Sequence, residues 1–289
     1  MRKQSALTIT AVAVLALMLP SAISASPVEG ELYELQLTSK SETKGSNSNS
    51  SSSGRDTMSV KTVAVRADGV EFEYDLPPGT PAEDRQRNWQ FPSRVFKPVD
   101  GGPIRLLNAP ELEARVDQWL ALGQMTREAC GKWIFTWNAF KIECDPQSVL
   151  ATIAVFDPQP QLLKEGASYR HSMATNPTPL HYAAGPDGGA IYETTMVIDA
   201  DKVRHEKAEA DVVVGQITGE PISAEQAQRK RAKMQISGTI EVTLETDPSG
   251  NVIKRTVIYK MELIDADGGG EKSLITEVLT RKLISRSAE

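Results

Sequence analysis

The sequence predicts an α+β fold, a curved antiparallel β-sheet with a helical insert packed on one side. Three observations predict it. Residues 70–76 alternate strictly, with Val70, Phe72, Tyr74 and Leu76 facing one way and Glu71, Glu73 and Asp75 the other. That is the period of a sheet with one wet face. Three long alternating runs, 235–246, 251–264 and 271–284, are joined by Asp247-Pro248-Ser249-Gly250-Asn251 and Asp265-Ala266-Asp267-Gly268-Gly269-Gly270, both hairpin chemistry. Between these regions, at about 108–157, two apolar stripes follow the 3.6-residue period instead.

In chain order, residues 31–39 (ELYELQLTS) read as a strand. The run GSNSNSSSSG over 45–54 has no apolar side chain to bury and reads as a flexible hairpin loop or linker. Strands at 57–66 and 70–76 flank the turn Ala67-Asp68-Gly69, and the three carboxylates of the second form a solvated row. A proline-rich stretch from Pro77 to Pro103 leaves room for short strands at Trp89–Phe91 and Arg94–Phe96. Asn108 and Glu111 have capping-box spacing, with Pro110 tolerated in the first turn. Leu112, Val116, Trp119 and Leu120 share a face, and Gly123 ends that helix. Asp145-Pro146 opens a second helix carrying Val149, Leu150, Ile153 and Phe156, closed by Asp157-Pro158. Residues 189–199 alternate as a strand, followed by a polar segment of weak helical character and then Val212–Val214. Ser223 and Gln226 repeat the capping-box pattern and open a helix to about Lys233. The N-terminal strands are too few to stand alone. Residues 26–289 therefore read as a single domain.

Ahead of this domain, Arg2 and Lys3 precede an apolar core from Leu7 to Leu19, then Pro20 and the small residues Ser21, Ala22, Ser24, Ala25 and Ser26. This is a signal-peptide layout, with cleavage expected near Ala25, so 1–25 is assigned as the signal peptide and the protein as periplasmic or secreted. The apolar core falls short of the ~20 residues of a membrane span. No later segment reaches ~18 apolar residues, so no transmembrane span is expected after cleavage. Removing Arg2 and Lys3 takes the net charge from −6 to −8, an acidic balance that argues against nucleic-acid binding.

Cys130 and Cys144 are the two cysteines, and an oxidising compartment makes a disulfide between them the expectation. Cys130, Trp133, Trp137, Phe140 and Cys144 also fit a helical stripe. One straight helix would hold the cysteines ~21 Å apart, while a disulfide needs Cα atoms within ~7 Å. Either the helix breaks, near Asn138, or there is no bridge; the break is the expectation.

The search for chemistry returns little. The chain has three histidines, His171, His181 and His205, and no zinc-protease, nucleophile-elbow, phosphate-loop or dinucleotide motif. No catalytic, cofactor-binding or metal residue is assigned, and no cofactor is expected. One basic cluster, Arg229, Lys230, Arg231 and Lys233, stands against the acidic background as a patch for an anionic partner, with a solvated helix face as its plain reading.

The signal peptide, the Ser/Asn-rich run and the YELQLTSKSE…VEFEYDLP segments resemble uncharacterised exported proteins of Gram-negative bacteria. Long antiparallel strands with helices on one side are also similar in outline to periplasmic half-barrel lipid carriers. The resemblance implies a non-enzymatic cell-envelope protein that binds an apolar ligand or a partner protein. Two alternatives stay open: an envelope hydrolase with a site near His171 or His181, and an envelope assembly factor.

Overall fold

The computed structural model describes residues 27–46, 49–135, 139–158, 162–265 and 268–286. The signal peptide assigned to 1–25, Trp137 and the helix break expected near Asn138 lie outside these residues. The N-terminal strands are β1 (Leu32–Gly45), β2 (Asn49–Arg66), β3 (Gly69–Asp75), β4 (Ser93–Pro98) and the two-residue β5 (Arg105–Leu106), with a short helix α1 (Ala82–Arg87) between β3 and β4. The insert follows: α2 (Ala109–Leu122), a 3-10 turn, the strands β6 (Trp133–Phe135) and β7 (Ala139–Lys141), a second 3-10 turn and α3 (Val149–Val155). The paired dipeptides β8 (Ser168–Tyr169) and β9 (Thr178–Pro179) precede β10 (His181–Ala184) and β11 (Ala190–Val197). Helices α4 (Ala200–Thr218) and α5 (Ala224–Arg231) then lead to the meander β12 (Gln235–Thr246), β13 (Val252–Ile264) and β14 (Gly270–Ser285).

Ten of these strands form one open sheet in the order β10-β11-β12-β13-β14-β1-β2-β3-β4-β5. Every neighbouring pair is antiparallel. The first and last strands of the sheet in chain order meet at the β1–β14 pair, where Leu37 lies opposite Leu279 and Ser41 opposite Ile275. Alternation gives the sheet one polar face, with Lys254, Lys260, Glu241 and Glu245 among its side chains, and one covered face.

The covered face carries two separate cores. In the first, Leu35, Met58, Val60, Tyr74, Val95 and Leu279 of the sheet pack against Leu112, Val116 and Leu120 of α2 and Val149 and Ile153 of α3. In the second, Tyr192, Met196, Ile240, Val242, Leu244, Val257 and Leu263 pack under Tyr169, Leu180, Ile198, Val203 and Met234. Arg255 ties the two halves together. It donates from Nη1 to the Asp157 carbonyl and from Nη2 to the Val155 carbonyl, each at 2.6 Å. Lys97 Nζ holds Asp157 Oδ2 at 2.6 Å. Two cations thus grip the C-terminal end of α3, where the helix dipole is negative.

Several expectations change. Most of the run expected as a flexible hairpin loop or linker is strand: Gly45 belongs to β1, and Asn49 to Gly54 belong to β2 and pair with Ser39 to Lys44 of β1. Composition misled because a low-propensity Ser run can be held as a strand by its partner's ladder. Among the described residues of 126–144, Arg127–Ala129 form a 3-10 turn and Trp133–Phe135 pairs antiparallel with Ala139–Lys141, with Trp133 opposite Lys141, in place of the expected helix. Chain reversal brings the cysteines together, and the Cys130–Cys144 disulfide has its Cα atoms 5.6 Å apart. Asn108 sits at the N-cap of α2, but its side chain makes no cap bond. Its Oδ1 accepts from Arg94 N–H and its Nδ2 donates to the Pro92 carbonyl, tying α2 to β4. The segment containing Val212–Val214 is the interior of α4, a 19-residue helix capped by Asp199 at its start and by Gly219 in the left-handed conformation at its end. Glu71 is buried beneath Arg66 and Arg94, not solvated in a row. The Ser223–Gln226 capping box is complete.

Candidate functional site

The first core ends because the covered-face residues of β1 change character along the strand. Tyr33, Leu35 and Leu37 are apolar; Ser39, Ser41 and Thr43 continue the same face. On β14 the matching positions run from Leu279 through Glu277 and Ile275 to Ser273. Small polar side chains cannot fill the space between two apolar layers. The result is a cleft of about 510 Å³ between this end of the sheet and α4. Its floor is Ser41, Thr43, Tyr259, Met261, Leu263, Ser273 and Ile275, and its wall is Met173, Ile198 and Val203. Glu206, Lys207, Glu271 and Glu277 also line it.

Local sequence sets this wall. Asp199 accepts from the N–H groups of Asp201 and Lys202, starting α4 directly after β11 and turning Val203, Glu206 and Lys207 toward the strands. Gly238 opposes Met261 on β13. A Cβ there would lie 2.2 Å from the Lys260 carbonyl oxygen and 2.9 Å from Ile198 Cδ1, so glycine is what lets Ile198 pack onto the sheet. Lys207 Nζ stands 3.8 Å from Glu271 Oε1, joining helix to strand beside the cleft.

A polar contact adjoins the cleft floor at Tyr259. The Met173 N–H donates to His171 Nδ1 at 3.2 Å. The ring proton must then reside on Nε2, which lies 3.3 Å from the Tyr259 hydroxyl. Glu277 also lines the cleft, and its charge acts on the Tyr259 hydroxyl. Burial first, then the charge of Glu277, pushes the Tyr259 hydroxyl well above its ordinary value. Burial, then the positive charges of Arg255 and Lys202, push the His171 ring below its ordinary value, so it is neutral at pH 7. Both ring nitrogens are engaged, so His171 as placed has no free lone pair to act as a base.

The other sequence candidates lie elsewhere. His181 is exposed on β10, with Nδ1 3.8 Å from Glu165 Oε1. His205 is exposed on α4, beside Glu209. In the basic cluster, Arg231 makes a bidentate pair with Asp211 at 2.8 and 2.7 Å, Lys230 also reaches Asp211 at 3.4 Å, and Arg229 pairs with Glu225. Lys233 is exposed just past α5. The disulfide lies in the insert, with Cys144 in the first core. Among the described residues no group of three or more His, Cys, Asp or Glu side chains is arranged to hold a metal ion. No helix among them is long and apolar enough to cross a membrane.

The sequence points to an apolar pocket under the helices of the insert, but that part of the sheet is packed and the cleft lies against α4 instead. The signal was present as Ser39, Ser41 and Thr43 prolonging an apolar alternation on a polar note, but only the strand register shows what those positions face.

No protein-family profile matches the chain, and no curated protein matches it in sequence. A solved structure titled "Lipid-protein interactions in lipovitellin" matches 91% of this chain at 11% identity, with a TM-score of 0.41. This chain spans about a quarter of that one, 26% of its length.

Proposed function

We propose that this chain is a non-enzymatic binding protein of the cell envelope, periplasmic or secreted, whose cleft between α4 and strands β13, β14 and β1 takes a small ligand with an apolar body. The observation that carries the reading is the cleft itself. Its ~510 Å³ falls within the usual ligand-site range of ~300–1,000 Å³. Apolar side chains supply most of its wall and the middle of its floor, with a few polar groups among them. The disulfide fits maturation in an oxidising compartment.

The test is a fluorescence titration with N-phenyl-1-naphthylamine, an uncharged apolar probe, against the wild type and Ser41→Phe. Ser41 is half-buried on the floor, so a phenyl ring there occupies the space a ligand would take. The wild type should bind saturably, and Ser41→Phe should bind at least about tenfold more weakly, a loss of ~1.4 kcal/mol. Absence of saturable binding, or equal affinity in the two proteins, would overturn the proposal.

A further inference from the structure

We infer that the ligand of this cleft carries a cationic amine head on its apolar chain; the inference rests on the binding role proposed above and adds the ligand's chemical class. Four charged residues line the cleft. Glu206 and Lys207 come from α4, and Glu271 and Glu277 from β14. The strands β1 and β13 contribute only neutral side chains. The sum is three carboxylates against one ammonium.

The single cation is matched, because Lys207 faces Glu271 at 3.8 Å. Glu206, exposed on α4, and Glu277, half-buried on the floor, are left to set the local field. Beyond the lining, Lys202 is matched by Asp199, while Arg255, held on the carbonyls of Val155 and Asp157, keeps its charge and offsets part of the field; four carboxylates still stand against three cations, so the balance stays acidic.

A ligand carboxylate entering here would meet like charge in a place partly withdrawn from water, where repulsion is strongest. A ligand ammonium would meet the opposite. It has three donors and no acceptor. The Glu277 carboxylate and the Ser41 hydroxyl supply acceptors one register step apart, since Ser41 lies two residues along β1 from Ser39, which pairs with Glu277. The apolar chain of such a ligand would lie on Met261, Leu263 and Ile275 beneath Ile198 and Val203. An acidic lining around an apolar floor thus selects by charge, while the floor supplies affinity without regard to the head group.

The test compares dodecylamine, dodecanol and dodecanoate, one chain length with three head charges, by isothermal titration calorimetry on the full chain at pH 7. Dodecylamine should bind at least about tenfold more tightly than dodecanoate, with dodecanol between them. The amine-to-alcohol affinity ratio should shrink at ~1 M salt, where the screening length is only ~3 Å. It should also shrink in Glu206→Gln, an exposed helix position, and further in Glu277→Gln. Dodecanoate binding as tightly as dodecylamine, or a ratio indifferent to salt and to both substitutions, would overturn the charge inference and leave the binding role standing. Binding of none of the three by the wild type would overturn the binding role as well.

Discussion

Replacing Arg255 with Met should loosen the join between the helical insert and the C-terminal half of the sheet. Methionine keeps much of the apolar stem and removes the guanidinium. The native side chain makes two charge-assisted hydrogen bonds of 2.6 Å to the carbonyls of Val155 and Asp157. Hydrogen bonds to charged groups contribute ~1.5–3 kcal/mol each. Arg255 is only partly buried, so the lower part of that range applies, and the loss of two bonds should be about 3–4 kcal/mol. At about 2–4 °C per kcal/mol for a chain of this size, the melting temperature should fall by roughly 5–15 °C. A second readout separates this from a generic packing defect. The Arg255 charge is one of the causes that hold the His171 ring below its ordinary value. Its removal should raise the His171 titration midpoint toward ~6.5, though burial, the larger cause, remains. Thermal unfolding and NMR titration of the His171 ring measure the two effects. A melting temperature within about 1 °C of wild type, or an unmoved His171 midpoint, would refute the reasoning.

Three further outcomes follow from the same structure. Reducing the Cys130–Cys144 bridge, which closes a loop with a sequence separation of 14, should cost ~3 kcal/mol, read as a lower urea midpoint with dithiothreitol than without; an unchanged midpoint would contradict it. His171 has its folded pKa depressed, so its contribution to stability is present above ~6.5 and is lost as pH falls through the lower folded value; His171→Gln should flatten the fall in stability between pH 7 and 5, and an identical pH profile in the variant would count against it. Leu112 of α2 is fully buried in the first core, so Leu112→Ala should lower unfolding free energy by about 2–5 kcal/mol in denaturant titration, and a loss under ~1 kcal/mol would mean that α2 does not seal that core.

Much of the fold is legible in the sequence because its signals are local. The strict alternation at 70–76 and along the C-terminal meander, the turn residues between those strands and the Ser223 capping box each fix geometry within a few residues. Other elements depend on partners far along the chain. The Ser run at 49–54 forms a strand because β1 lies beside it, not through its own preference. Residues 126–144 carry a helical stripe, yet a disulfide and the antiparallel β6–β7 pair decide the outcome. The segment through Val212–Val214 has only weak helical character in isolation, but Asp199 and Gly219 bound a long helix around it. The candidate site is the least legible part. Ser41 and Thr43 come from one end of the chain, Tyr259, Ile275 and Glu277 from the other, and Val203 from a helix between. Their meeting depends on the β1–β14 register, which no local pattern specifies. His171 stood out as a histidine, but only its contact with Tyr259 gives it a place at the cleft.

The most direct test of the central claim, that the cleft beside α4 is where an apolar ligand binds, is methyl NMR of Ile- and Met-labelled protein titrated with dodecylamine. The account predicts saturable shifts at Ile198, Met261, Ile275 and Met173, which line the cleft, and little change at Ile153 and Ile240, which are sealed in the two cores. Shifts concentrated at methyls remote from the cleft, or no saturable shift at the four lining residues, would contradict it.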